Sequence, residues 1–431
     1  MLNWASRFNI FSFLDNQDYS LPLHSFDGML AAGVVDHVEA SAGHALDELG
    51  AFADKCRDWL FGHFGYELVR ETEPYGVPGA AQPHAAGFPD LYFFVPEVIV
   101  ELKGGCLSIG SLRGDHEEIF REILLCSDTT GSGDAFSTGT GDRLNKGTVM
   151  DDVLRPAFSK EEYLEAVRAL QRHILRGDAY EVNFCQEFYN EAMQIDPLAV
   201  WTALSQSSPN PFSAFYRLGE RFLLCASPER YLRREGDVLI SQPIKGTAAR
   251  VPEDPLADQA AAEGLRASAK DQRENVMVVD LVRNDLARIC LPGTVRVREL
   301  FGIYSFPQVF QMTSSIEGVL PPGTGFIEAI KATFPMGSMT GAPKRRVVEL
   351  IDRYERGSRG LFSGAVGYIS PEGDFDFNVV IRSLFYNRST QYLSYLVGSG
   401  ITFYSDPESE YEECLMKAQG IKKALGMMPS A

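Results

Sequence analysis

Short apolar runs bounded by polar or glycine-containing turns recur along this chain and predict β-strands. The predicted strands cover residues 91–95, 98–102, 222–226, 231–232, 238–240, 364–369, 376–386, 392–397 and 401–404. Turns containing Gly, Pro, Asp or Asn separate several of them, as at 371–374 and 387–390. Because strands joined by such turns usually pair with each other, the pattern predicts antiparallel sheets.

Longer segments carry the signals of helices. The predicted helices cover residues 45–61, a segment that begins after Ser159, residues 256–287, and a segment that runs from Asp406 to just before Gly426. Ser159 and Asp406 are residue types that cap helices, and Pro407 occupies a favourable first helical position. Long antiparallel strands with a few long helices predict an α+β fold with helices outside the sheets.

A stretch of small polar residues from Ser127 to Gly147 interrupts these elements and is predicted to be a linker or loop. It divides the chain into an N-terminal part, residues 1–150, and a C-terminal region, residues 155–425. The N-terminal part shows no evident chemistry. Its histidines His44, His63 and His84 are isolated, which is typical of surface or hydrogen-bonded structural histidines.

The charge of the chain limits its partners. A formal net charge of -18 over 431 residues repels nucleic acids and anionic membranes. An anionic substrate would therefore need a local group of cations or a metal ion. The seven scattered cysteines indicate reduced thiols, and the chain shows neither a secretion signal nor an apolar run of about 20 residues. A cytoplasmic protein is expected.

The strongest candidate for chemistry is Lys245, in the segment Pro-Ile-Lys-Gly-Thr at 243–247. We expect a short loop in which Gly246 lets the backbone turn and direct the amine inward. Burial would lower the pKa of this amine and make it a nucleophile or base. The alternative is a lysine at the end of a strand that extends to water.

Three acidic groups and one loop are further candidates. Glu229 follows an apolar strand, and burial there would raise its pKa and make it a general acid; a surface turn is the alternative. Glu274 belongs to a polar helix that also fits a solvated face. Glu410, Glu413 and Lys417 share one helix face, which suits either a cation site or a plain ion pair. Small residues at 334–344, including Thr340, predict an anion-binding loop or a simple connection.

Together these motifs resemble the chorismate-utilising enzymes, a family that includes the anthranilate, aminodeoxychorismate, isochorismate and salicylate synthases. The resemblance covers about residues 155–425. The motifs that carry it, in order, lie at 180–184, 227–230, 243–247, 274–285, 334–344, 364–382, 398–400 and 417. It implies two packed, mainly antiparallel sheets with helices outside.

The resemblance also implies a reaction. In carrying lysine at position 245, the chain resembles the aminodeoxychorismate synthases, component I, of folate and p-aminobenzoate biosynthesis. Anthranilate synthases carry alanine at that position. It implies that Lys245 attacks ring carbon 2 of chorismate and that Glu229 protonates the departing 4-hydroxyl. Ammonia would then replace the lysine adduct and give 4-amino-4-deoxychorismate. Anthranilate synthase is the alternative within the family, and an inactive partner or sensor is the alternative outside it.

Binding residues follow from the same resemblance. The residues implied to hold Mg²⁺ are Glu274, Glu413 and Glu410. The residues implied to hold the two substrate carboxylates are Thr340, Tyr368, Arg382, Gly398, Ser399, Gly400 and Lys417. Two positions depart from the family: Glu181 stands where aminating members have glutamine, and Gln311 where histidine is common. The chain has no glutaminase motif, so ammonia is expected to come from solution or from a separate glutamine amidotransferase subunit.

Overall fold

The computed structural model of the protein describes residues 1–19, 25–73, 82–128 and 154–427. Its strands are β1 (Ile10–Asp15), β2 (Gly28–Ala32), β3 (Asp36–Ala40), β4 (Leu60–Phe64), β5 (Leu91–Val95), β6 (Val98–Lys103), β7 (Cys106–Ser111), β8 (Arg155–Pro156), β9 (Glu181–Asn190), β10 (Phe212–Leu218), β11 (Arg221–Ser227), β12 (Arg230–Glu235), β13 (Val238–Gln242), β14 (Ile244–Ala249), β15 (Arg296–Ser305), β16 (Val309–Val319), β17 (Gly341–Ala342), β18 (Ala365–Ile369), β19 (Phe375–Asn378), β20 (Ser383–Asn387) and β21 (Tyr392–Ile401).

Helices connect and cover these strands. They are α1 (Leu2–Ala5), α2 (Ala45–Cys56), α3 (Val69–Thr72), α4 (His116–Asp128), α5 (Lys160–Leu175), α6 (Pro197–Ser207), α7 (Pro255–Ala267), α8 (Ala269–Ala287), α9 (Phe326–Thr333), α10 (Lys344–Tyr354), α11 (Pro407–Lys417) and α12 (Gln419–Ala424). None of the helices in the described ranges combines the length and the apolar character needed to cross a bilayer.

The strands form two antiparallel sheets, which confirms the predicted fold class. The first sheet has the order β17-β9-β21-β20-β11-β10-β1-β2-β6-β7, with β8 paired to β9. The second has the order β14-β16-β13-β12-β19-β18-β4-β5-β3, with β15 paired to β16.

Alternating side chains explain how the layers pack. In β11, Leu223 and Cys225 belong to a core shared with strands of the second sheet, whereas Phe222 and Leu224 belong to a second core. That second core also contains residues of α5, α10 and α12. Because successive residues of a strand point to opposite faces, the first sheet packs against the second sheet on one face and against helices on the other.

The N-terminal part contributes to both sheets. β1, β2, β6 and β7 lie in the first sheet, and β3, β4 and β5 lie in the second. The described residues up to 128 are therefore built into the same two sheets as the C-terminal region. Most of the predicted linker, residues 129–147, lies outside the described residues, and its first residue, Ser127, belongs to α4.

Three predicted helices have different bounds. The segment 45–61 is helical only to Cys56, because Arg57 adopts a left-handed conformation and β4 follows. The segment 256–287 is two helices, since Ser268 has an extended backbone and accepts a hydrogen bond from the backbone N–H of Asp271, which starts α8. The last helix is likewise divided, into α11 and α12, at Ala418.

Two strand predictions were wrong in ways that matter for the site. The segment 376–386 is two strands: β19 lies in the second sheet and β20 in the first. Between them Arg382 has a φ of 53°, a left-handed conformation that suits a sharp bend. Two strands were predicted at 392–397 and 401–404, but one strand, β21, runs without interruption from Tyr392 to Ile401. Gly398 and Gly400 therefore lie inside a strand.

Candidate active site

Lys245 lies on β14, the strand at one end of the second sheet, and not in the predicted loop. Its side chain is 14% exposed, and its Nζ atom lies 3.1 Å from Oε1 of Glu181, on β9 of the first sheet. The next residue, Gly246, has a φ of +94°, and an added Cβ atom would lie 2.9 Å from Cβ of Asp271. Glycine at 246 therefore permits the inward direction that the sequence predicted.

The charge of Lys245 differs from the prediction. Burial alone would lower the pKa of the amine, but the carboxylates of Glu181, Glu274 and Glu229 raise that pKa above its usual value. The predicted low pKa is wrong because the electrostatic attraction of these acidic groups outweighs the loss of solvation. Lys245 is a protonated amine at neutral pH and must lose a proton before it can act as a nucleophile.

Glu229 lies directly before β12 and is 4% exposed. Its backbone N–H donates to the Ser227 hydroxyl, and its carbonyl accepts from the N–H of Val379. Burial raises the pKa of Glu229 to about 7, although the nearby Ser338 hydroxyl and the charge of Lys245 act in the opposite direction. The predicted rise is confirmed, and a carboxyl with this pKa can donate a proton near neutral pH.

A buried ion pair fixes the strand that follows Glu229. Arg230 donates from Nε and Nη2 to the two carboxylate oxygens of Asp376, at 2.8 and 2.9 Å. Both side chains are at least nine-tenths buried. Bidentate pairs of this kind fix orientation as well as contributing energy, so β12 and β19 are held in register beside the acid.

The three residues Gly398, Ser399 and Gly400 pair with β9. An added Cβ atom at Gly400 would lie 2.4 Å from Oε1 of Glu181 and 3.1 Å from Nζ of Lys245. Glycine at 400 therefore lets the Glu181 carboxylate and the Lys245 amine lie close against the backbone of β21, where a side chain would collide with them. Ser399 faces away, since its hydroxyl lies 3.4 Å from that of Tyr163 in the core between sheet and helices.

The loop 334–342 is fixed more firmly than the sequence predicted. Thr340 is fully buried and its hydroxyl donates to the carbonyl of Met336, so this hydroxyl hydrogen is already engaged. Lys344 does not point at an anion site, because its Nζ atom donates to Asp285 at 2.6 Å and to the carbonyl of Thr333. The groups of the predicted anion-binding loop that could still bind an anion are therefore backbone groups near Thr340.

Sequence reasoning missed Arg359, which supports this loop. Its guanidinium donates to the carbonyls of Met339 and Asn183 and pairs with Glu355 at 2.6 Å. Glu355 in turn accepts from the N–H of Cys185 on β9. The spacing of Glu355 and Arg359 at i and i+4 is visible in the sequence, but the pattern is too common to have identified them.

Two of the three acidic residues predicted for metal binding, Glu274 and Glu413, interact electrostatically with the Lys245 amine. Lys417 pairs with Glu413 at 2.7 Å and donates to the carbonyl of Gly398 at 2.8 Å. Burial alone would raise the pKa of Glu413, but Lys417 lowers it below its usual value. Burial raises the pKa of Glu274, and the nearby charge of Glu413 adds to that rise. Glu410, one turn before Glu413 on α11, is buried.

These carboxylates fit part of a magnesium site. Among the described residues, no group of three or more acidic, histidine or cysteine side chains is arranged to hold a metal ion. Mg²⁺ nevertheless commonly takes only one or two protein carboxylates and completes its shell with water and substrate oxygens. Glu274 and Glu413, two carboxylates that influence each other electrostatically, match that incomplete kind of site.

Arg382 and Lys417 line a cavity of about 400 Å³. Gln311, Asn210 and Lys423 line it as well. Burial lowers the pKa of Arg382, while the charge of Glu413 acts in the opposite direction. Across the described part of the chain, no hydrogen bond or ion pair engages the Arg382 guanidinium, so it is available to a carboxylate from outside.

Tyr368 is not brought to this cavity in the way the resemblance implied. Its ring packs against Trp59 at 5.5 Å and Phe61 at 5.9 Å, next to Phe26. Its hydroxyl lies beside Ser25. Tyr368 therefore belongs to an aromatic cluster of the N-terminal strands, and we exclude it from the substrate-binding residues.

Glu181 and Gln311, the two unusual positions, are both buried. Glu181 is 3% exposed, and its Oε2 atom has no hydrogen-bond partner among the described residues. Oε1 of Gln311 is also buried and has no hydrogen-bond partner among the described residues. Buried polar atoms without partners are rare, and those near a reactive group are candidates for function.

Comparison with known proteins agrees with this geometry. A family model described as chorismate binding enzyme matches residues 17–423, which extends the resemblance into the N-terminal part. Aminodeoxychorismate synthase component 1 of Escherichia coli K12 is 39% identical over 268 residues, 62% of this chain and 58% of that protein. The chain thus spans less than two thirds of that relative.

Two other proteins are similar over most of their length. Anthranilate synthase component 1 of Thermus thermophilus is 34% identical over 372 residues, 85% of this chain and 77% of that protein. The crystal structure of anthranilate synthase component I from Streptococcus pneumoniae TIGR4 has a TM-score of 0.74 at 23% identity and covers 94% of each chain. The match across residues 17–423 and the shared two-sheet architecture establish that this chain belongs to the chorismate-binding enzyme family.

Proposed function

We propose that the chain replaces the 4-hydroxyl group of chorismate with ammonia and so forms 4-amino-4-deoxychorismate. One observation carries the proposal: a lysine amine enclosed by carboxylates lies close to Glu229, a buried acid whose pKa of about 7 suits proton donation. The similarity to a relative named aminodeoxychorismate synthase component 1 supports the same reaction.

The chemistry proceeds in two displacements. Deprotonated Lys245 attacks ring carbon 2, the ring double bonds shift, and the carbon 4–oxygen bond breaks. Glu229 protonates the departing hydroxyl, which leaves as water. Ammonia then adds at carbon 4, the double bonds shift back, and the carbon 2–nitrogen bond breaks to release Lys245. The amine therefore ends on the carbon that lost the hydroxyl, and the lysine is regenerated.

Cationic groups would bind the two substrate carboxylates. Arg382, with no protein partner in the described ranges, is suited to one of them, and Lys417 supplies a second positive charge on the same cavity. Backbone groups at Gly398, Ser399, Gly400 and Thr340 would complete the binding of these carboxylates.

Glu274 and Glu413 would hold Mg²⁺, with Glu410 contributing directly or through water. When bound, the ion would supply positive charge for the ring carboxylate. Lys417 contacts both the carboxylate of Glu413 and the carbonyl of Gly398, and so fixes Glu413 at the proposed metal site. Ammonia would come from a glutamine amidotransferase subunit, and the product would serve p-aminobenzoate and folate biosynthesis.

Product analysis tests the proposal. Purified protein with chorismate, ammonium and Mg²⁺ should yield aminodeoxychorismate, identified by mass spectrometry. The similarity to anthranilate synthase component 1 of T. thermophilus makes anthranilate the specific alternative. Fluorescent anthranilate as the main product would overturn the assignment, and so would the absence of any turnover.

A further inference from the structure

We propose that Glu181 is the base that removes the proton from Lys245 before it attacks the substrate. This inference rests on the proposed function and assigns a catalytic role to a residue that stands outside the family pattern. Three observations carry it: the contact with Lys245, the carboxylate oxygen without a partner among the described residues, and the close packing of both groups against Gly400.

The first observation is the contact itself. Nζ of Lys245 donates to Oε1 of Glu181 at 3.1 Å, a distance over which a proton can pass directly. Glu229 and Glu274 also act on Lys245 electrostatically. Glu229 is needed in its protonated form for the leaving hydroxyl, and Glu274 is proposed to bind the metal. Of these three carboxylates, Glu181 is the one to which no other role is assigned.

The second observation is the state of the other carboxylate oxygen. Oε2 of Glu181 is buried and has no hydrogen-bond partner within the described ranges. A buried carboxylate oxygen without a partner is costly for the folded state, which an ordinary structural ion pair would avoid by filling both oxygens. A proton accepted by the carboxylate can reside on this oxygen without displacing another partner.

The third observation is the lack of a side chain at Gly400, against which both groups pack. A Cβ atom at Gly400 would lie within 2.4 Å of Oε1 of Glu181 and 3.1 Å of Nζ of Lys245. A side chain at this position would therefore displace the carboxylate from the amine, and glycine keeps the two groups within proton-transfer distance.

The step balances without a further reactant. The Lys245 ammonium transfers one proton to Glu181, giving a neutral amine and a neutral carboxylic acid. The nitrogen lone pair then forms the bond to ring carbon 2, and Glu229 separately donates its proton to the departing oxygen. After ammonia displaces the lysine, Glu181 returns its proton to the released amine. The nitrogen bonded to carbon 4 carries one excess proton, which passes to the Glu229 carboxylate.

A plain counter-ion makes the opposite prediction. If Glu181 only kept Lys245 charged, removal of the carboxylate would lower the pKa of Lys245 and make the neutral amine more abundant. Adduct formation by Glu181→Gln would then be as fast as in the wild type, or faster at low pH. If Glu181 is the base, Glu181→Gln instead forms the adduct more slowly, because the proton of Lys245 must then pass to water.

The experiment measures adduct formation in a single turnover. Full-length protein is mixed with chorismate and Mg²⁺ without ammonia, quenched at intervals, and analysed by intact-protein mass spectrometry across a range of pH. We expect Glu181→Gln to slow adduct formation by about 10²- to 10⁴-fold. We expect Glu181→Asp, which keeps a carboxylate, to recover part of the loss. Thermal melting verifies that each variant is folded.

Glu187→Gln is the matched control. It makes the same carboxylate-to-amide change on β9, where Glu187 pairs with His84 and not with Lys245, and it should leave the rate near that of the wild type. A Glu181→Gln rate equal to the wild type, or a pH profile displaced only to lower pH, would overturn the role of Glu181 alone. Failure of the wild type to form any adduct would overturn the proposed function as well.

Discussion

The Nζ atom of Lys245 lies 3.1 Å from the Oε1 atom of Glu181, and this ion pair connects β14 of one sheet with β9 of the other. The amine proposed to attack the substrate is thus positioned by two layers of the fold. β9 is held by Arg359, and β14 pairs with β16. Groups placed on paired strands are held more rigidly than groups on loops, as covalent catalysis requires.

The buried acid makes stability depend on pH. The folded-state pKa of Glu229, about 7, lies above its usual value of 4.5. The folded state therefore binds the proton more tightly, and this contribution is present below about pH 4.5 and is lost as pH rises through about 7. We predict that Glu229→Gln raises the free energy of unfolding by up to about 3 kcal/mol near pH 8, relative to the wild type.

Urea unfolding at two pH values measures this effect. Near pH 4, where Glu229 is protonated in both states, the variant and the wild type should differ little. A stability difference that is the same at both pH values would show that the carboxyl of Glu229 is not held in its neutral form by burial.

The buried pair of Arg359 and Glu355 should contribute strongly to folding. Both side chains are nearly inaccessible, at 2% and 6% exposure. Removing one partner leaves an uncompensated buried charge, so we predict that Arg359→Met lowers the free energy of unfolding by about 3 to 5 kcal/mol.

Arg356→Met is the control for that change. Arg356 pairs with Glu162, but both are about half exposed, so the loss should be below about 1 kcal/mol. Denaturant unfolding of the two variants under one condition gives the comparison. Equal losses would mean that the buried pair of Arg359 and Glu355 contributes no more to stability than the exposed pair.

The proposed magnesium site predicts a change in metal dependence. Chelation by EDTA should abolish turnover, and Glu413→Gln should raise the Mg²⁺ concentration needed for half-maximal rate by at least about tenfold. The physical reason is the loss of one of two carboxylate charges. Titration of Mg²⁺ against rate measures this, with the shift in melting temperature on adding Mg²⁺ as a second readout.

The neighbouring Glu412→Gln serves as the control in the metal titration. Glu412 lies on the same helix but contacts Lys160 at 3.7 Å and is 60% exposed. It should behave as the wild type. If both variants shift the Mg²⁺ requirement equally, the effect reflects general surface charge and not a ligand.

Local signals in the sequence predicted much of the fold. Ser159 forms the expected cap, and Glu162 completes a capping box with it. Asp406 also caps its helix as predicted. The burial of Glu229 followed from its place after an apolar strand. These features depend on a few neighbouring residues, so the sequence alone contains the relevant information.

The features that sequence did not predict depend on distant partners. The rise in the Lys245 pKa requires Glu181, 64 residues away along the chain. The division of the segment 376–386 depends on two different sheets offering partners to its two halves. Tyr368 was misplaced because a motif position does not say which neighbours a ring has. The Lys245 pKa, the division of this segment and the neighbours of Tyr368 all depend on strands that pair across long separations in the sequence.

Intact-protein mass spectrometry of the wild type and Lys245→Ala tests the covalent role of Lys245 most directly. With chorismate and Mg²⁺ but no ammonia, the wild-type mass should increase by that of chorismate less one water, and proteolysis should place the added mass on Lys245. Lys245→Ala should gain nothing and should lose turnover with ammonium. An unmodified wild-type protein that still aminates chorismate, or the same mass gain on Lys245→Ala, would contradict the account.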